Sequence, residues 1–115
     1  MLEMYLTLTR LEIRIITDDR FLLPDLLGKS RFTSGDSIKL SEDVRIVFDS
    51  VEMKNGSGVQ EIDGILMFST GVGARLIANW LSDKFKRRKG TKIYVDGTEI
   101  ILQTDMIVGI LNEKL

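Results

Sequence analysis

The 115-residue chain is 43% apolar and 29% charged, the size and balance of one folded domain rather than of two domains or a disordered segment. A net charge of -1 gives the whole molecule no attraction for nucleic acid or an anionic membrane, so any such binding must come from a local patch. Without cysteine or histidine, the chain has no disulfides, thiolate or imidazole metal sites, thiol nucleophiles or histidine-containing triads.

Residues 1–14 mix Glu3, Arg10, Glu12 and Arg14 with apolar residues. That pattern is unlike a signal peptide, and a cytoplasmic location is the expectation. Residues 5–17 have β character, with Leu11, Ile13 and Ile15 on one face and Glu12 and Arg14 on the other. Upstream, Met4, Leu6 and Leu8 occupy even positions, so the phase changes near Thr9 and implies a bulge or break. Phe21, Leu22, Leu23, Leu26 and Leu27 around Pro24 suit a short helix ended by Gly28. After a turn at 33–36, Ile38 and Leu40 alternate, residues 41–43 turn, and Val44, Ile46 and Phe48 alternate, giving a hairpin or one broken strand that continues to Met53. Residues 54–58 form the most loop-like segment.

Residues 60–88 carry the longest helical pattern. In its second half a polar stripe of Arg75, Asn79, Ser82 and Lys86 opposes Leu76, Ile77, Trp80 and Leu81. Residues 91–95 and 98–103 flank Asp96-Gly97, a type I′ hairpin signal. Counting outward pairs Val95 with Thr98 and Ile93 with Ile100 on a core face, leaving Lys92, Tyr94, Glu99 and Ile101 on the other. Thr104 or Asp105 can cap a short final helix that brings Ile107, Ile110 and Leu111 together. These elements predict an α+β domain spanning 1–115: a small mixed β-sheet with strands near 11–16, 44–51, 91–95 and 98–102, the 60–88 helix across one face, and a short terminal helix.

Residues 64–74 contain no charge, and as a helix would be apolar nearly all round, hence buried in the core or covered by a partner. Projecting the polar stripe backwards reaches Gly71 and Phe68, so Phe68, Gly71, Met67 and Gly64 are the candidate interaction surface. The mostly apolar stretch 65–81 is too short, and too interrupted by Arg75 and Asn79, for a transmembrane helix. Ser69-Thr70-Gly71-Val72-Gly73 invites comparison with a phosphate-binding loop, but the Walker lysine and hydroxyl are missing and no strand leads directly into the GxG with the dinucleotide spacing. Lys84, Lys86, Arg87, Arg88 and Lys89 form the one dense basic run. They complement the helix dipole and are the candidate anion-binding residues, though the run lacks interleaved aromatics and nucleic acid is not expected. Asp18-Asp19 and Glu61-Asp63 are the closest acid clusters, and neither has calcium-loop spacing. No catalytic residue, cofactor site or metal site is assigned.

The order of elements resembles the effector-associated constant component family of bacterial conflict and signalling systems. The resemblance is carried by the Gly-rich segment GILMFSTGVGARLIANWLSDKF, with Gly71, Gly73 and the Trp80-Leu81 pair, followed by the hairpin TKIYVDGTEIIL and a short helix. It implies an adaptor that accompanies variable effectors, and brings no catalytic motif. The longer polar middle, residues 30–43, departs from that pattern. The function expected is a non-enzymatic interaction module with a protein partner, an effector enzyme or a second copy. A ligand- or anionic-surface-binding domain using residues 84–89 is the alternative, and an enzyme restricted to acids, Ser, Thr, Lys or Tyr comes third.

Overall fold

The computed structural model describes residues 9–54, 58–69 and 72–114. The elements run β1 (Thr9–Thr17), α1 (Leu22–Leu27), β2 (Ser37–Ser41), β3 (Val44–Lys54), β4 (Val59–Phe68), α2 (Val72–Phe85), β5 (Thr91–Val95), β6 (Thr98–Glu99) and α3 (Thr104–Glu113). The class is α+β, but the sheet is not mixed: its six strands, ordered β2-β3-β4-β1-β5-β6, are antiparallel at every pairing. Nor is there one long helix over 60–88. The first part of that span is β4, and only α2, 14 residues long, is helical.

The reason lies in β4's position. It pairs with β3 on one side and β1 on the other, so it is an interior strand. Ile62, Leu66 and Phe68 point into the core, while Ile65 and Met67 between them are half-buried on the opposite face. A strand apolar on both faces loses its alternation, and a charge-free run of that kind joined to the first turn of α2 reads as one continuous helix.

β4 and β5 lie on either side of β1, each antiparallel to it, and so run parallel to each other. Two parallel strands cannot be joined by a tight turn, and α2 is the crossover that connects them. Its buried stripe, Gly73, Ala74, Ile77, Ala78, Leu81 and Phe85, has the helical spacing, with Arg75 and Asn79 exposed. These residues share a core with Leu11, Ile13 and Ile15 of β1, Val44, Ile46 and Phe48 of β3, and Ile107 and Leu111 of α3. No helix among the described residues is long and apolar enough to cross a membrane.

The hairpins follow their turn chemistry. At 96–97 both residues have positive φ, 48° at Asp96 and 81° at Gly97, as a type I′ turn requires. Val95 pairs with Thr98 and Tyr94 with Glu99. β6 is shorter than the 98–102 expected: the Ile100 N–H still donates to the Ile93 carbonyl at 2.9 Å, after which the chain turns off into α3. α3 starts at Thr104 with no side-chain cap bond at Gln103 before it. The 38–53 segment resolves into a hairpin, with Ser41 paired to Val44. α1 begins before Pro24, at Leu22, and ends at Gly28, whose N–H donates to the Pro24 carbonyl at 2.8 Å. The expected first strand piece at Met4, Leu6 and Leu8, and most of the 54–58 loop, lie outside the described residues.

The turn leading into β2 is held by Asp36. Its carboxylate accepts the Lys29 ammonium at 2.7 Å and the Thr33 N–H at 2.7 Å. The Lys29 bond first, then the Thr33 N–H, holds the Asp36 carboxyl below the ordinary carboxylate range. Because the folded pKa is depressed, the stabilisation is fully present above the unfolded value of about 3.9 and is lost as pH falls through the folded one. Asp36→Asn is therefore expected to be less stable than the native chain at neutral pH, with the gap closing in acid. Urea denaturation across pH checks this, and a gap independent of pH contradicts it.

Candidate functional site

The helices α2 and α3 bury one face of the sheet, leaving the residues of the opposite parity to be placed. On β1 these are Arg10, Glu12, Arg14 and Ile16; on β4, Glu61, Asp63, Ile65 and Met67; on β5, Lys92 and Tyr94. They form rows across the strands. Arg10 stands beside Met67, Glu12 beside Ile65, and Arg14 between Asp63 and Tyr94.

This face is hollowed at its middle. The β3–β4 register shifts between Phe48, opposite Gly64, and Ser50, opposite Asp63, so Asp49 is an extra residue bulged out of the ladder. A bulge bends its strand and increases the local twist. Gly64 is what the bulge requires of its neighbour: a Cβ there would stand 2.6 Å from the Val47 carbonyl oxygen. The result is a concavity of about 550 Å³, lined by Glu12, Arg14, Ile16, Asp49, Asp63, Ile65, Tyr94 and Asp96 among others.

Its electrostatics are set by one ion-pair row. The Arg14 Nε donates to Asp63 Oδ1 at 2.8 Å and lies 3.9 Å from Glu61, whose other oxygen is 3.2 Å from the Lys54 ammonium. The Asp63 bond, and the charges of Asp63 and Glu61, raise the Arg14 pKa above its ordinary value, so the guanidinium stays charged. Asp96 is occupied with the backbone: its Oδ1 accepts the Glu12 N–H at 2.8 Å while its own N–H donates to the Glu12 carbonyl at 2.9 Å. That pair clamps the 96–97 turn to β1 at the rim of the hollow. Glu12 and Asp49 make no ion pair among the described residues.

The residues singled out from the sequence fall elsewhere. Phe68 is fully buried on the core face and Gly64 is buried at the bulge, so neither is a contact surface. The projection that exposed Phe68 assumed helical geometry for residues that are a strand. Met67 is half-buried on the open face between Arg10 and Arg45, and Gly71 lies outside the described residues. β4 ends at Phe68, just before the Ser69–Gly73 stretch, of which residues 70 and 71 lie outside the described residues. Gly73 there has a packing role, since a Cβ would come within 3.2 Å of Phe68 Cβ and 3.3 Å of Val44 Cγ2.

The basic run divides in two. Arg88 bonds Asp19 at 2.7 Å and approaches Asp25 at 3.6 Å, fastening the end of α2 to the α1 segment. Lys84, Lys86, Arg87 and Lys89 are exposed and, among the described residues, in no ion pair. Arg88→Gln is expected to cost about 1 kcal/mol, because the pair is only partly shielded, whereas Lys86→Gln with Arg87→Gln should stay within about 0.5 kcal/mol of the native chain. Urea denaturation separates the two cases, and equal losses would show that the Arg88 pairs contribute nothing. The acid clusters are likewise engaged, Asp19 by Arg88 and Glu61-Asp63 by Arg14. Among the described residues no group of three or more acids converges on a metal position.

Glu12, Arg14 and Tyr94 were each legible as outward-facing, but nothing in the sequence brought them together. The bulge alone left a signal, in Gly64: a glycine inside a strand marks a bulge or close backbone approach. No protein-family model matches the chain, and comparison with curated proteins and with solved structures finds no similar one.

Proposed function

We propose that this chain is a non-enzymatic interaction module that binds a protein partner on the open, concave face of its sheet. The observation that supports it is the pairing of half-buried side chains, Ile16, Ile65 and Tyr94, with carboxylates around a hollow on a face that α2 and α3 leave bare. An antiparallel sheet whose free face meets only water carries polar side chains there. Apolar centres rimmed by charge are the composition of a docking surface. The resemblance to the effector-associated constant component family would make the partner an effector.

The exposed cations Lys84, Lys86, Arg87 and Lys89 support a second reading, an anionic-surface binder at the end of α2. Capture from a lysate of the source organism separates the two. A protein retained by the native chain should be lost with Ile65→Arg, which fills the hollow with a long cation, and kept with Lys86→Gln/Arg87→Gln. Both variants should be folded by circular dichroism. Loss with the second variant alone assigns binding to the basic run, and capture unaffected by Ile65→Arg removes the open face from consideration.

A further inference from the structure

We infer that the partner presents a lysine or arginine side chain to the hollow, its cationic head between Glu12 and Asp49 and its aliphatic stem across Ile65 and Tyr94. This rests on the open face being the binding surface. Four carboxylates line the hollow, Glu12, Asp49, Asp63 and Asp96, against the single guanidinium of Arg14. Asp63 is neutralised by Arg14, and Asp96 is held by its bond from the Glu12 N–H. The charge left over is negative and is carried by Glu12, Asp49 and Asp96; of these Asp96 has an oxygen engaged by the backbone, while Glu12 and Asp49 stand on β1 and β3, the two strands flanking β4. Those strands lie about 10 Å apart, two inter-strand spacings, so a head group above the middle strand faces both acids.

The chemistry between them selects the class of cation. Ile65 stands in the row between β1 and β3, and the half-buried Tyr94 lines the same hollow. A bare metal ion gains nothing from an apolar floor. An ammonium or guanidinium carried on methylenes buries its stem there and keeps its head among carboxylates. Anionic ligands meet the wrong sign. A face-to-face pair of identical chains would appose two hollows and leave a void, which packed interfaces avoid.

The probe is an end-blocked peptide of alternating lysine and valine, with a control in which every lysine is acetylated, followed by amide shifts in NMR titration. Saturable shifts should centre on Glu12, Ile65 and Tyr94 and weaken with added salt. Acetylation of the peptide, and Glu12→Gln/Asp49→Asn in a folded protein, should each weaken binding about tenfold. Equal binding of both peptides, or no effect of the double variant, overturns the cationic partner while leaving the open face as the docking surface. So does concentration-dependent sedimentation of the chain alone that Ile65→Arg abolishes, which would make the occupant a second copy. Shifts confined to other faces overturn the inference, and with lysate capture unaffected by Ile65→Arg they overturn the reading beneath it as well.

Discussion

Phe68→Glu is expected to unfold the protein. The side chain is fully buried in the core of the sheet, where its neighbours include Val44, opposite it on β3, and Gly73 at the start of α2. Removing a buried phenylalanine costs about 3–5 kcal/mol through lost packing alone. A carboxylate in its place adds the cost of an unpaired charge or of the proton taken up to neutralise it. Against a total stability of about 5–15 kcal/mol for a domain, that sum leaves little or no folded population. Circular dichroism and a urea melt measure it. A cooperative native-like transition in Phe68→Glu would mean that the strand assignment at the end of β4 is wrong and that the helical reading, with Phe68 on the surface, was right.

How much of this was legible in the sequence varies with how much of each element's environment the sequence itself specifies. The 96–97 hairpin was readable in detail because two adjacent residues with positive φ determine both the turn and the register of its arms. β1 was readable because Leu11, Ile13 and Ile15 alternate with charges, and the buried stripe of α2 because Arg75 and Asn79 mark its wet side. β4 was not, since its second half places Ile65 and Met67 on the open face between the core residues Leu66 and Phe68, which erases the alternation that marks β1. Its neighbours, not its own residues, make it a strand. The open face is hidden for the same reason: Glu12 and Arg14 on one segment and Tyr94 on another can be assigned outward, but the strand that lies beside β1 and completes the face has a helical sequence pattern. The basic run shows the reverse limit. Its residue types were plain, yet only the fold separates Arg88, paired with Asp19, from Lys86 and Arg87, which face solvent.

Gly64→Ala is expected to be the most costly single-methyl change in the sheet. At 2.6 Å the added carbon would overlap a backbone oxygen, that of Val47, with Phe48 Cα and Cδ1 both 3.4 Å away. A side-chain neighbour could rotate aside. A carbonyl in the ladder can move only if β3 moves, and that would undo the Asp49 bulge or separate β3 from β4. Overpacking of this kind costs about 1–3 kcal/mol, and the absence of a flexible neighbour places Gly64→Ala at the upper end. Gly109→Ala supplies the opposite sign. That position lies within α3, a Cβ there meets nothing within 4 Å, and replacing a helical glycine by alanine stabilises by about 0.5–1 kcal/mol. The pair separates a specific clash from a general effect of adding a methyl group, and urea denaturation reads both. Because the bulge also shapes the hollow, any Gly64→Ala protein that remains folded should show altered amide shifts at Asp49, Ser50 and Asp63 before those of α3. Two alanine variants of equal stability would mean that the sheet yields freely at Gly64, and that the hollow is not a fixed feature of the fold.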